Sequence, residues 1–196
     1  MVDELQGPAG ARAAGDILGR AFEDDPVFGW LLRGGHRQRR LTGVFQTFAA
    51  TALRTPGGRV LATPARSAAA VWLPPGHWRA GLREVVRTAP GLAAHLRGGT
   101  VRGLRLQAVV ERHHPREPHW YLEALGAVPE ARGTGVGGLV VQPVLDACDA
   151  TRLPAYLESS NPRNWSFYER LGFVRGTPLP ALRGCPVLMP MRREPR

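Results

Sequence analysis

Apolar residues in the first 55 positions recur every three or four residues, which is the spacing of amphipathic helices. Those from Ile17 to Phe22 share one helical face, and Pro26 ends that helix because proline lacks the N–H that continues it. A second short helix is predicted over 27–32. A third is predicted over 37–55, where the pattern is carried by Leu41, Val44, Phe45, Phe48 and Leu53.

Short apolar runs bounded by turn residues predict strands in the next part of the chain. Residues 59–73 predict a hairpin whose turn lies over 63–66. The segment 79–113 is helical in pattern, with breaks expected at Pro90 and at Gly98-Gly99.

The C-terminal half alternates strands with helices. Strands are predicted over 119–128, 155–160 and 185–191, and helices over 138–151 and 161–173. A strand, a helix and a second strand joined by a right-handed crossover lie with the two strands parallel and adjacent. We therefore expect one α/β domain over residues 1–196, with extra helices in its N-terminal half.

The charge of the chain is strongly positive. Its 196 residues include 26 basic and 16 acidic ones, for a formal net charge of +10, and every basic residue is arginine. A basic protein can bind nucleic acid through phosphate contacts, but these arginines are spread along the chain, which predicts no nucleic-acid partner. The charge instead favours a polyanionic ligand.

The N-terminal residues are not expected to form a targeting signal, because acidic residues come early and no apolar core follows. No run approaches the roughly 18 apolar residues of a membrane-spanning helix. We expect a cytoplasmic protein with no membrane partner, present as a monomer or a homodimer.

The stretch RGTGVGG, residues 132–138, places four glycines between a predicted strand and a predicted helix. Such a loop is a plain turn or a backbone cradle for phosphate. The triphosphate loop GxxxxGK[ST] is excluded because the chain contains no lysine. The dinucleotide pattern GxGxxG fits Gly133, Gly135 and Gly138, but the short remaining chain weakens that assignment, because a doubly wound fold needs further strand–helix units.

A third pattern, Arg-x-x-Gly-x-Gly, fits Arg132, Gly135 and Gly137. Glycines let successive backbone N–H groups point at one pyrophosphate, and the N-terminus of the next helix adds its positive dipole. Arg132 adds a charge-assisted contact. The residues predicted to bind the pyrophosphate are Arg132, Gly133, Thr134, Gly135, Val136, Gly137 and Gly138.

A second motif lies in NPRNWSFYERLGF, where Asn161 precedes Tyr168 by seven residues and Leu171-Gly172-Phe173 follows. Together with the glycine loop, this spacing resembles the GNAT N-acyltransferase superfamily. Two further segments resemble its branch of puromycin N-acetyltransferase-like proteins, namely HHPREPHW at 113–120, which leads into the strand at 119–128, and LESS within 155–160.

The resemblance implies the GNAT fold, a central mixed sheet flanked by helices, with extra helices between the third and fourth strands. It implies acetyl-CoA as co-substrate, no metal, and direct attack of an amine on the thioester. The implied acceptor is a small-molecule amine, such as an aminonucleoside or an antibiotic-like compound. Two alternatives stay open: acetylation of protein or peptide amines, and a non-catalytic acyl-CoA-binding module on the same fold.

The resemblance also assigns cofactor contacts outside the glycine loop. The backbone groups implied for the pantetheine amides are those of Leu125, Ala127 and Val128. A bulge there would separate this strand from the one at 155–160, and Gly126 fits a bulge or a close packing contact. Asn161 would bind pantetheine, or it caps the helix that starts at Pro162.

Three residues are candidates for the chemistry. Tyr168 is the expected general acid, because a protonated phenol can donate to a departing thiolate, and a core tyrosine is the alternative. Glu123 and Glu158 lie on the two strands expected to separate, where burial would raise the pKa of a carboxyl toward that of a useful base. Glu158 ranks first by its resemblance to the relatives, and a solvated or arginine-paired carboxylate is the alternative for both.

The acceptor side is expected at the turn Asp24-Asp25-Pro26, whose carboxylates would attract a cationic amine or simply form a helix-ending turn. An aromatic wall is expected beside it, with core packing as the alternative. Its candidates are Phe28, Trp30 and Trp120. The histidine spacing predicts no metal site.

Overall fold

The computed structural model describes residues 2–196, so residue 1 of the expected domain lies outside the described range. The strands in chain order are β1 (Asp3–Glu4), β2 (Arg59–Ala62), β3 (Ala68–Leu73), β4 (Trp120–Ala127), β5 (Ala155–Ser159), β6 (Val174–Arg175) and β7 (Met189–Arg193). The helices are α1 (Gly7–Ala21), α2 (Pro26–Leu31), α3 (Arg37–Arg54), α4 (Leu82–Leu96), α5 (Thr100–His113), α6 (Val136–Thr151) and α7 (Trp165–Arg170).

All of these strands form a single sheet in the order β1-β2-β3-β4-β5-β7-β6. Neighbouring strands are antiparallel except β4 and β5, which are parallel and joined through α6. The sheet is therefore mixed and flanked by helices, which confirms the predicted fold class. The parallel pair confirms the strand–helix–strand unit predicted from the sequence.

The two faces of the sheet carry two separate apolar clusters. Helices α1, α2 and α3 cover one face, where Leu18, Leu41 and Phe45 are buried against β2, β3 and β4. Helices α6 and α7 cover the other face, where Val144 and Tyr168 are buried. No helix within the described part of the chain is long and apolar enough to cross a bilayer.

Helices α4 and α5 lie between β3 and β4, where extra helices were expected, and the break at Gly98-Gly99 is confirmed by a 3-10 turn over Arg97–Gly99. The break predicted at Pro90 is wrong, because α4 runs through it. Pro90 and Val86 are both exposed, so water can bind the Val86 carbonyl that loses its helical N–H partner.

The strands at the sheet edges differ from the sequence expectation. β1 and β6 are two residues long, too short to leave an alternating pattern. The last strand is β7 at Met189–Arg193 rather than 185–191. It ends in Arg193, whose buried guanidinium donates to both oxygens of Asp149 at 2.7 and 2.8 Å, and this pairing makes a charged residue acceptable in the strand.

Candidate active site

The site lies where β4 and β5 separate. The two strands pair only at Trp120 with Ala155 and at Tyr121 with Tyr156, and no further pairs occur between them within residues 2–196. Because the strands are parallel, both open toward their carboxyl ends. The glycine loop that follows β4 and the Asn161 turn that follows β5 therefore flank the same opening.

The bulge that shapes β4 lies at Glu123, not at Gly126. Val71 of β3 pairs with Ala124 whereas Trp72 pairs with Leu122, so Glu123 is the extra residue. Gly126 serves close packing instead, because a Cβ there would lie 2.5 Å from the Cβ of Ala21 in α1. The position of the bulge puts an acidic side chain at the opening.

The glycine loop has the backbone shape of an anion cradle. Gly133 and Gly135 have φ values of +77° and +86°, a region that other residues rarely adopt, and the space beside both is open. Four backbone N–H groups donate to no acceptor among the described residues, namely those of Gly133, Gly135, Val136 and Gly137. These N–H groups and the start of α6 fit the pyrophosphate of acetyl-CoA.

The rest of the predicted loop is held by its neighbours. Arg132 donates to the Ala21 carbonyl at 3.0 Å and lies 3.7 Å from Asp24, so it ties the loop to the end of α1. The Thr134 hydroxyl donates to the Ala131 carbonyl. Gly137 lies against the ring of Phe167 in α7. A Cβ added at Gly137 would be 3.3 Å from the Cζ atom of that ring. Gly138 has open space beside it.

The backbone N–H and C=O groups of β4 differ in whether they are free to contact pantetheine. Beyond Tyr121 the edge that faces β5 has no strand partner within the described chain, so Leu125 and Ala127 lie where backbone contacts to pantetheine are expected. The N–H of Val128 already donates to the Ser67 carbonyl at 2.9 Å. The Val128 carbonyl accepts from the Ala131 N–H at 2.9 Å, so both backbone groups of Val128 already have partners within the chain.

Asn161 and Tyr168 lie after β5. The Asn161 side chain accepts from the Arg163 N–H at 3.1 Å and caps the 3-10 turn over Pro162–Asn164, the capping alternative from the sequence. Tyr168 is buried in α7. Burial and the nearby Asp25 charge raise the pKa of Tyr168 well above its usual value, so the phenol is protonated near neutral pH.

Glu123 is a half-buried acid with one buried oxygen that makes no hydrogen bond. Its Oε2 atom is buried and has no hydrogen-bond partner among residues 2–196. Burial, and then the charge of Glu158, raise the pKa of Glu123 to about 8. A carboxyl group with this pKa and a free oxygen is equipped to take a proton in its ionised form, which predominates above pH 8.

Glu158 is already held by its neighbours. Its side chain is only 3% exposed, and its Oε1 lies 3.1 Å from the Nδ1 of His114. Tyr121 and Tyr156 lie close enough for the Glu158 charge to raise the pKa of both phenols, although burial is the larger cause. The two carboxylates therefore have different surroundings, and Glu158 is the more constrained.

Sequence reasoning missed His114, Tyr121 and Tyr156. Strand alternation could have revealed the tyrosines, because Tyr156 lies two residues before Glu158 and Tyr121 two before Glu123, on the same strand face. The contact between His114 and Glu158 joins residues 44 positions apart, and no local pattern indicates it.

Asp25 acts as the N-cap of α2. One of its oxygens accepts from the backbone N–H groups of Val27 and Phe28 at 2.9 and 3.0 Å, and the other accepts from the Ser160 hydroxyl. Burial raises the pKa of Asp25 despite these hydrogen bonds. The residue ties α2 to the end of β5, which is the turn alternative from the sequence, whereas Asp24 is exposed.

The predicted aromatic wall does not assemble. Trp30 is buried in the cluster beneath α1, α2 and α3, with the Arg102 guanidinium 5.7 Å from its ring centre. Phe28 packs in the same cluster against Phe22 and Phe45. Trp120 lies in the cluster on the opposite sheet face, so Trp120 and Trp30 cannot line one pocket.

A backbone anion cradle beside two diverging parallel strands defines the class of acyl-CoA-dependent transferases. The sequence profile of the acetyltransferase (GNAT) family matches residues 64–173, more than half of the chain. The chain belongs to this family of N-acetyltransferases, which use acetyl-CoA as co-substrate. Within residues 2–196 no group of three side chains could hold a metal ion.

Individual proteins are similar to parts or all of the chain. An uncharacterized N-acetyltransferase, C550.08, of Schizosaccharomyces pombe is 40% identical over 60 residues. This match covers 30% of the chain and 24% of the relative, so the chain spans about a quarter of that protein's length.

Solved structures share the fold at low sequence identity. The histone acetyltransferase HPA2 and related acetyltransferase from Corynebacterium glutamicum has a TM-score of 0.71 at 22% identity, covering 100% of this chain and 96% of that one. Arylalkylamine N-acetyltransferase 2 from Aedes aegypti has a TM-score of 0.63 at 8% identity, covering 100% and 99%. Naa20 from Chaetomium thermophilum has a TM-score of 0.52 at 16% identity, covering 100% and 86%.

Proposed function

We propose that the protein transfers the acetyl group of acetyl-CoA to the amine of a small molecule, and that residues 1–196 act as one domain in doing so. The observation that carries the proposal is the acidic centre formed by Glu123 and Glu158 at the opening between β4 and β5. An amine that enters this opening meets a carboxyl group able to take its proton.

Acetyl-CoA is proposed to bind along the same opening. The four unpaired N–H groups of the glycine loop support binding of its pyrophosphate, with Arg132 beside them. The open β4 edge at Leu125 and Ala127 supports contacts to the pantetheine amides. Asn161 can add a contact through its amide N–H₂, because its hydrogen bond to Arg163 uses only the amide oxygen.

Glu123 is the proposed general base, which reverses the order suggested by sequence resemblance. Its raised pKa and its unpartnered oxygen support proton uptake. Glu158 is engaged by His114 and is surrounded by two tyrosines, so a further proton is harder to place there. In this proposal Glu158 acts on the reaction only indirectly, by influencing the pKa of its neighbour Glu123.

Tyr168 is the proposed general acid. The raised pKa of its phenol keeps it protonated, and α7, the helix that carries it, directly follows the Asn161 turn. The amine nitrogen forms a bond to the acetyl carbon as the carbon–sulfur bond breaks. The nitrogen's proton goes to Glu123, and the phenol proton goes to the departing thiolate.

A small acceptor is supported by the enclosure of the acidic centre. Helix α5 packs on α2, where Arg102 donates to the Leu31 carbonyl at 3.0 Å. The chain that leaves α5 brings His114 against Glu158, and Trp78 stacks on His114. Such enclosure suits a compact amine better than a peptide. The HHPREPHW and LESS segments support an acceptor like that of the puromycin N-acetyltransferase branch.

The test is release of free thiol from acetyl-CoA over a panel of small amines that includes puromycin, with peptides bearing free N-termini as a parallel set. We expect turnover with small amines and none with peptides. Turnover with peptides alone would select the protein-acetylation alternative. Binding of acetyl-CoA without thiol release in either set would select the non-catalytic alternative.

A further inference from the structure

His114 is buried at the end of α5 with every side of its ring in contact. Its side chain has no exposed surface. The Nδ1 atom lies 3.1 Å from Glu158 Oε1, and the Nε2 atom lies 2.9 Å from the Nε2 of His119. The Trp78 ring stacks on it with a centroid separation of 3.9 Å. A titratable ring enclosed this way has fixed hydrogen-bond partners.

The carbonyl of Glu117 fixes the direction of the hydrogen bonds. It lies 2.7 Å from the Nδ1 of His119 and can only accept, so this nitrogen carries a proton. Burial lowers the pKa of His119, which makes its ring neutral and leaves its Nε2 as an acceptor. His114 must therefore donate from its own Nε2.

One proton then remains to be shared between His114 and Glu158. If His114 is neutral, its Nδ1 is an acceptor and Glu158 must donate. If Glu158 is ionised, His114 must be an imidazolium that donates from Nδ1. In both arrangements one proton lies between His114 Nδ1 and Glu158 Oε1, and the pair is neutral. The arrangement with an unprotonated Nδ1 facing an ionised Glu158 has no proton to form the hydrogen bond.

We propose that His114 is a positioning residue for acetyl transfer, because the proton that it shares with Glu158 cancels the negative charge that Glu158 would otherwise present to Glu123. His119, oriented by the Glu117 carbonyl, keeps that proton on the Glu158 side of the ring. The proposal rests on the proposed role of Glu123 as base.

The consequence falls on Glu123. A negative charge on Glu158 raises the pKa of Glu123, and the proton shared with His114 counteracts that charge. Without a proton at His114, the uncancelled Glu158 carboxylate would raise it further, and less of Glu123 would be ionised near neutral pH. The titratable and charged groups around this network are Tyr121 and Glu123 on β4, Tyr156 and Glu158 on β5, Glu117 and His119 before β4, and Arg192 on β7.

The kinetic test is the variant His114→Asn, whose amide N–H can replace the Nδ1 donor to Glu158 but cannot carry an added proton. We expect the pH at which kcat falls on acidification, the acid limb, to move upward by about one pH unit. At pH values above this limb, kcat should return to that of the unmodified protein. The acetyl-CoA KM should stay unchanged. His113→Asn is the matched control, because that neighbouring histidine is exposed and bonds only to the Val109 carbonyl. A rate lowered equally at every pH, or an unmoved limb, would overturn the proposal.

A readout without turnover separates this proposal from the proposed function. In protein labelled with ¹⁵N-histidine, His119 should be neutral with its proton on Nδ1, and the His114 Nδ1 should carry or share a proton near neutral pH. Glu158→Gln should remove that proton from His114 and leave His113 unchanged. The opposite His119 tautomer would contradict the proposal, even if the protein acetylated amines. Confirmed proton sharing in a protein without transferase activity would reject the proposed function instead.

Discussion

The glycine loop and the acidic centre flank one opening and differ in their effect on negative charge: the loop favours it, and the acidic centre disfavours it. The loop over 132–138 has unpaired backbone N–H groups and one half-exposed arginine, which we propose face an anion. The acidic centre places Glu123 and Glu158 together where burial disfavours negative charge. The loop depends on its backbone shape, whereas the acidic centre depends on side chains from separate segments of the chain.

This contrast determines which substitutions matter in each region. In the loop, substitutions that leave the backbone conformation unchanged should have little effect on activity. In the acidic centre, a change of one atom that removes a charge should alter the chemistry without altering the packing. Substitutions of nearly equal size are therefore the sharpest probes.

The largest effect is expected at Glu123. Glu123→Gln keeps the size of the side chain and removes the proton acceptor, so kcat/KM should fall about 10²–10³-fold. Thiol release at a fixed pH above 8 measures it. The control is Glu4→Gln, a carboxylate on the edge strand β1 that pairs with Arg59. Equal losses in both variants would remove Glu123 from the chemistry.

The next effect is expected at Tyr168, the proposed general acid. Tyr168→Phe removes only the hydroxyl, so kcat should fall roughly 10–10²-fold while the dissociation constant of acetyl-CoA stays the same. Steady-state kinetics and calorimetric titration with CoA measure the two quantities. A variant that turns over normally would mean that the thiolate takes its proton elsewhere.

A smaller effect is expected in the loop. Gly135→Ala forces a side chain into a left-handed backbone, so the acetyl-CoA KM should rise about fivefold to tenfold with kcat little changed. Gly34→Ala is the matched control, because Gly34 has a φ of +91° and equally open surroundings between α2 and α3. If both variants raised KM alike, the effect would be general strain and not loss of the cradle.

The smallest effect is expected at Asp25, the N-cap of α2. Asp25→Ala removes the cap and should lower the free energy of unfolding by about 1–2 kcal/mol in urea denaturation. Asp25→Asn keeps an accepting oxygen, so it should retain most of that stability and leave the amine KM within about twofold. A large rise of the amine KM in the Asn variant would instead support the acceptor role suggested by the sequence.

The loop was predictable because its signal is local. Four glycines in seven residues, a strand before them and a helix after them are all visible in one stretch, and so is the spacing of Asn161 and Tyr168. The parallel pairing of β4 and β5 also follows from a local rule, the handedness of one crossover.

The acidic centre was predictable only in part. Both glutamates could be selected from their strands, but their order could not, because it depends on contacts across the fold. The bulge at Glu123 arises from the register of β3 against β4, and the restraint on Glu158 comes from His114. Trp30 and Trp120 do not form the aromatic wall expected for the acceptor pocket, because they lie on opposite faces of the sheet.

The central claim is that Glu123 takes the amine proton, and its most direct test is the pH dependence of kcat at saturating substrates. Because Glu123 must be ionised and its pKa is about 8, kcat should fall as the pH decreases below that value and level off above it. Two acceptor amines of different pKa should show this fall in kcat at the same pH. A kcat that is flat through this range, or a limb that moves with the amine, would contradict the account.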